Sequence, residues 1–156
     1  MSAVLNRNIC FIGGGNMAQA LIGGLISRGL PSTRITVSDP VEQVRHLLAE
    51  KDLVVTEDNA SAIREADVVV LAVKPQVLAN VLKPLNGLFD GKLIISIVAG
   101  AEIATIAALA GSNRIVRVMP NTPALVQTGA HGLYATEAVD KEDRDLASQV
   151  LAATGL

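Results

Sequence analysis

Apolar residues run almost without interruption through residues 9–12, 68–73 and 93–98, and the stretches between such runs carry apolar positions every three or four residues. An uninterrupted short run is what a strand buried on both faces requires, and the wider period is that of a helix packed along one side. Residues 34–38 alternate instead, with Ile35 and Val37 set between polar neighbours. The pattern predicts strands over 9–12, 34–38, 53–55, 68–73, 93–98 and 115–119, with a further strand at the sheet edge over 130–135. It predicts a first helix with Met17, Leu21 and Leu25 on its packed face, stopped by Gly29 and Pro31. A second helix opens at Asp39-Pro40 and carries Val41, Val44, Leu47 and Leu48. Further helices are expected over 59–65 with Asn59 as cap, over 76–88 with a break near Pro84, over 101–109, and over 140–153 with Asp140 as cap.

Strands and helices that alternate in this way define a doubly wound α/β domain: a mainly parallel sheet with helices on both faces. Within that frame the segment Ile9-Cys-Phe-Ile-Gly-Gly-Gly-Asn-Met-Ala18 is the most informative, because a buried strand stops at three glycines and a helix begins at once. This is the Rossmann-like hand-over from strand to helix. Gly13 permits the tight turn, Gly15 leaves no Cβ between the backbone and a diphosphate, and Ala18 lets the helix approach the sheet. The free N–H groups at the start of the helix then form an anion site. A glycine triplet alone is compatible with an ordinary turn; its place between strand and helix favours a dinucleotide.

Composition narrows the partners. Half of the 156 residues are hydrophobic and 2% aromatic, so the core must be built from Val, Ile, Leu and Ala. A formal net charge of −2, with no dense basic block and three aromatics (Phe11, Phe89 and Tyr134), argues against nucleic-acid binding. No apolar stretch has the length of a membrane span, and no secretory leader is recognisable, so a cytoplasmic location is expected. Cys10, the single cysteine, excludes an internal disulfide and a clustered-thiolate metal site. Its place between Ile9 and Phe11 marks it as a buried structural thiol.

Several segments together resemble pyrroline-5-carboxylate reductase. They are Phe11-Ile-Gly-Gly-Gly-Asn-Met-Ala18, Ala72-Val-Lys-Pro75, Ser96-Ile-Val-Ala-Gly100, Arg117-Val-Met-Pro-Asn-Thr-Pro123 and Gly129-Ala-His-Gly-Leu-Tyr-Ala135, in the order the family has them. The first is shared with many dehydrogenases; its combination with Ala-Val-Lys-Pro and Met-Pro-Asn-Thr-Pro is far more restrictive. The resemblance implies NAD(P)H-dependent reduction of 1-pyrroline-5-carboxylate, a small cyclic imine, to L-proline. It also implies a cofactor site made of Phe11, Ile12, Gly13, Gly14, Gly15, Asn16, Met17, Ser38, Asp39, Asn59, Ala72, Val73, Lys74, Pro75, Ala99, Gly100 and Asn121. Met119, Asn121 and Thr122 are expected beside the substrate. From spacing alone, Lys74-Pro75 reads equally well as a surface lysine before a helix-starting proline, and Asn121-Thr122 as part of a rigid turn.

The resemblance names NADPH first and NADH second, while Asp39 pulls the other way. An acid about twenty residues beyond the glycine turn ordinarily accepts the 2′-hydroxyl of NAD and repels a 2′-phosphate. Ser38 and Arg45 are the groups that would favour the phosphate. No catalytic residue is assigned: His46 reads as a solvated helix residue and His131 as structural, and the family holds its substrate chiefly in a C-terminal helical dimerisation domain. That domain is not recognisable in residues 1–156, which are expected to be one dinucleotide-binding domain of a longer, homo-oligomeric two-domain protein, with little or no turnover by themselves. The competing readings are a 3-hydroxyacid, 6-phosphogluconate or deazaflavin-linked dehydrogenase, and a non-catalytic nucleotide-sensing module.

Overall fold

A computed structural model describes residues 6–118 and 133–152. Among them lie strands β1 (Ile9–Ile12), β2 (Ile35–Ser38), β3 (Val54–Thr56), β4 (Val68–Leu71), β5 (Leu93–Ser96), β6 (Ile115–Val118) and β7 (Leu133–Ala135). The helices between and after them are α1 (Asn16–Ser27), α2 (Glu42–Ala49), α3 (Asn59–Arg64), α4 (Leu78–Leu82), α5 (Ile103–Ala110) and α6 (Lys141–Ala152). The strands form one sheet in the order β3-β2-β1-β4-β5-β6-β7. Six run parallel, and β7 closes the edge antiparallel to β6. Chain order therefore reverses at β1, with β2 on one side and β4 on the other. At such a switch point the loops leaving neighbouring strands diverge to opposite faces and open a crevice.

Alternate side chains of the central strands feed two separate cores, which is why those strands read as continuously apolar. Ile9, Phe11, Val68, Val70 and Ile95 pack on one face against Leu21, Ile22 and Leu25 of α1 and Ala147 and Val150 of α6. Cys10, Ile12, Val69, Leu71 and Ile94 pack on the other against Ile63 of α3, Leu82 of α4 and Ile106 of α5. The doubly wound architecture expected from the alternation of patterns is the one observed.

Several details differ from the sequence reading, among them the second helix, which begins at Glu42 rather than at Asp39-Pro40 and leaves Val41 and Leu47 exposed. Met17 is not on the packed face of α1: it is 48% exposed, and Ala18, Leu21, Ile22 and Leu25 form the buried stripe. Met17 occupies the first turn of α1, two residues past Gly15. The cap of α3 is Asp58, whose carboxylate accepts the Ser61 N–H at 3.3 Å, so the Asn59 side chain is released for other work. The expected helix over 76–88 is a single turn and a half, Leu78–Leu82, flanked by 3-10 turns at Pro75–Val77 and Lys83–Leu85. Each 3-10 turn holds a proline near its start, where the missing N–H and fixed φ are tolerated. At the other end, the Asp140 cap of α6 is as expected, its carboxylate accepting the Asp143 N–H at 2.8 Å.

Candidate dinucleotide site

The crevice at the switch point is a cavity of about 740 Å³, lined by the exits of β1 (Ile12 to Gly15), β2 (Ser38 to Val41), β3 (Glu57 to Ala60) and β4 (Ala72 to Lys74). Val77, Asn80, Val81, Pro84 and Leu85 close its far wall. Four parallel strands thus deliver their C-terminal ends to one space.

The three glycines have three different tasks. Gly13 sits at φ +103°, and a Cβ there would lie 2.6 Å from the Ala72 carbonyl oxygen, so neither the turn nor the approach to β4 admits a side chain. At Gly14 a Cβ would press on Leu48, Val44 and Val37 at 3.0–3.1 Å, so its bareness serves packing of α2. Gly15 has an ordinary φ of −75°, and an added Cβ meets nothing within 4 Å. Its missing side chain is therefore open space in front of α1. That helix begins at Gly15 with no side-chain cap and no acidic residue in its first turn. Its leading N–H groups and positive dipole end face a cavity rather than a protein acceptor, an arrangement that suits a diphosphate.

The turn is held from below. Gly13 N–H donates to the Ser38 carbonyl at 2.8 Å, and the Gln19 side-chain amide donates to the Gly14 carbonyl at 2.8 Å. Asp39, 9% exposed, accepts from Gly14 N–H at 2.9 Å through one carboxylate oxygen and from Val41 N–H at 2.8 Å through the other. The Ser38 hydroxyl donates to the Asn59 side-chain oxygen, which ties β2 to the start of α3. Arg45 reaches back from α2 to donate to the Asp39 carbonyl at 2.8 Å and stands 3.7 Å from Glu57.

Of the residues expected at the site, Ile12, Gly13, Gly14, Gly15, Ser38, Asp39, Asn59, Ala72, Val73 and Lys74 line the cavity. Asn16 and Met17 open α1 directly after Gly15, and neither is among the residues that line the cavity. Phe11 does not reach the cavity, since its ring is fully buried in the core beneath α1. Pro75 is exposed just past the lining segment. Ala99 and Gly100 form an exposed turn beyond β5, at the same C-terminal edge of the sheet but outside the cavity wall. Met119, Asn121, Thr122 and His131 lie outside the described residues. His46 is exposed on α2 and takes no part in the cavity.

The far wall was not foreseen. Its signal is present in the sequence: Val77 and Val81 stand four apart beside Leu78 and Leu82, also four apart. Two adjacent apolar pairs across one short helical stretch exceed what one core face needs. Leu78 and Leu82 are buried, and Val77 and Val81 face the cavity.

Fold and crevice together define a doubly wound nucleotide-binding domain. The chain belongs to the family described as "NADP oxidoreductase coenzyme F420-dependent", whose model matches residues 8–100. It is 48% identical over 152 residues to a pyrroline-5-carboxylate reductase of Haemophilus influenzae, a match that takes in 96% of this chain and 56% of the relative. Among solved structures, a pyrroline-5-carboxylate reductase from Coxiella burnetii superposes with a TM-score of 0.85 at 37% identity, over 96% of this chain and 57% of the other. The Plasmodium falciparum pyrroline carboxylate reductase with NADP bound superposes with a TM-score of 0.80 at 27% identity, over 98% and 57%. The chain thus spans just over half the length of the curated relatives it matches, and the resemblance stated from its motifs extends over nearly all of its own length.

Proposed function

We propose that this chain is the NADP(H)-binding part of a pyrroline-5-carboxylate reductase. The observation that carries the reading is the uncapped start of α1 at Gly15, with open space where a side chain would stand, facing a cavity at the sheet's switch point. These residues fit a diphosphate: donors converge, no acid occupies the first helical turn, and Lys74 on the opposite wall adds a positive charge. The NADP held by the P. falciparum relative supports the choice of cofactor class.

In this reading Gly13, Gly14, Gly15, Asn16 and Met17 hold the diphosphate, and Ser38, Asp39 and Asn59 border the adenosine ribose. Ala72, Val73, Lys74 and Pro75 lie along the opposite strand exit. Ala99 and Gly100 border the nicotinamide side, with Met119, Asn121 and Thr122 towards the substrate. The reduced nicotinamide, when bound, supplies the hydride for the C=N carbon of 1-pyrroline-5-carboxylate. The chain's own part is to fix the orientation of the dinucleotide. Residues that hold the imine belong to the further length that the relatives possess, as does homo-oligomer formation, and a cytoplasmic location accompanies both.

The family's description mentions coenzyme F420, but its match ends at residue 100, within the part that many reductases share. Identity to the proline enzyme continues well past that point, over 152 residues. The reading is tested by assaying a protein that carries this chain, at the relatives' full length, on 1-pyrroline-5-carboxylate and on 3-hydroxy acids. NADPH oxidation driven by the imine alone is expected; turnover of hydroxy acids alone overturns it. The 156-residue chain by itself is expected to bind NADPH and to form little or no proline.

A further inference from the structure

Asp39 stands where an acid is expected to accept the 2′-hydroxyl of an adenosine ribose, yet its carboxylate is already engaged on both oxygens. One takes the Gly14 N–H at 2.9 Å and the other the Val41 N–H at 2.8 Å. Gly14 is the middle residue of the phosphate turn, and Val41 immediately precedes α2. The side chain therefore bridges the two backbone segments that form this side of the cavity, with only 9% of the residue left exposed. Its main chain is fixed as firmly: Asp39 N–H donates to the Thr56 carbonyl at 3.0 Å, and Arg45 donates to the Asp39 carbonyl at 2.8 Å. Two charge-assisted bonds, one of them from the buried Gly14 amide, fix the direction of the carboxylate towards the glycine turn and the start of α2.

The geometry points to Asp39 as a positioning residue: it sets the glycine turn for the diphosphate and does not decide between NADH and NADPH. The role rests on the dinucleotide reading of the cavity. Without the carboxylate, Gly14 N–H loses its acceptor in a buried place, and the turn loses its link to α2. Every dinucleotide uses that turn, so both lose affinity together. A ribose-reading acid behaves differently, because its removal harms NADH and relieves repulsion of the 2′-phosphate.

The test compares wild type with Asp39→Asn and Asp39→Ala, each well below its unfolding temperature, by titrating NADH and NADPH against nicotinamide fluorescence. Amide hydrogen exchange at Gly14 is followed in parallel. The expected result is that both variants bind both dinucleotides about tenfold or more weakly, with the NADPH-to-NADH preference changed by less than about threefold. Gly14 exchange should accelerate by about tenfold or more while Val70, inside β4, stays protected. A preference that swings about tenfold or more towards NADPH overturns the inference, as does Gly14 exchange that is fast already in the wild type. If the wild type binds neither dinucleotide but its Gly14 amide is protected through Asp39, the hold on the turn stands and the dinucleotide reading fails. Should both variants refuse to fold, a through-hydrogen-bond coupling between the Gly14 amide nitrogen and the Asp39 carboxylate carbon in wild type decides: its presence supports the bridge, its absence refutes it.

Discussion

Gly13 and Ala72 meet backbone to backbone where β1 and β4 end: a Cβ on Gly13 would stand 2.6 Å from the Ala72 carbonyl oxygen, at a φ of +103°. Gly15, two residues on, has ordinary dihedrals and empty space. The two glycines should therefore respond oppositely to the same change. Gly13→Ala is expected to cost about 3 kcal/mol through left-handed strain and a backbone collision. Gly15→Ala should leave stability unchanged or raise it by up to about 1 kcal/mol. Urea unfolding of the two variants checks the contrast, and equal losses would contradict the assignment of Gly13 to fold and Gly15 to ligand.

Exposure of Met17 predicts a second contrast. Leu25 is completely buried on the packed face of α1, and Leu25→Ala should cost about 3 kcal/mol. Met17→Ala should change stability by no more than about 0.5 kcal/mol. A large loss at Met17 in a thermal or denaturant melt would return it to the packed face.

Arg114 holds Asp143 in a two-pronged pair, Nε to Oδ2 at 2.8 Å and Nη2 to Oδ1 at 2.6 Å, which joins the segment before β6 to α6. The side-chain hydrogen bonds from Arg114 keep the Asp143 carboxyl below its ordinary value of 3.8. A depressed carboxylate stabilises the fold above its unfolded pKa, and that contribution is lost as pH falls below about 4 through the folded value. Asp143 is buried while Arg114 remains partly exposed. Arg114→Ala should then cost about 2 kcal/mol at pH 7, short of what a fully buried pair would lose. The difference from wild type should shrink in melts taken below pH 4.

Burial pushes the Cys10 thiol up to about 12, against an ordinary 9.0. The neutral thiol is the form the fold favours, so its contribution is complete below pH 9 and fades as pH rises towards 12. Native protein at pH 8 should resist a thiol-specific disulfide reagent and react with one equivalent once unfolded in guanidinium. Rapid labelling of the native chain would contradict this burial.

How far the sequence could be read depended on what each signal encodes. Runs such as 68–71 revealed doubly covered strands because every position there is buried, and the glycine turn was legible because its residue types are set by backbone geometry. The direction of the Asp39 carboxylate was not legible. Spacing places an acid at the end of β2, but only the folded chain brings Gly14 N–H within 2.9 Å of it. The cap of α3 was misplaced by one residue for a similar reason, since Asp58 and Asn59 are both good caps and only geometry separates them. The far wall at Val77 and Val81 depends on how a short helix between two prolines is oriented, which periodicity over so few residues does not fix.

The most direct measurement is a calorimetric titration of NADPH into the wild-type chain and into Gly15→Ala. The account predicts one site per wild-type chain and an affinity lowered about tenfold or more in the folded variant, whose added methyl occupies the diphosphate's place. Undiminished binding by folded Gly15→Ala, or no binding by the wild type, would contradict it.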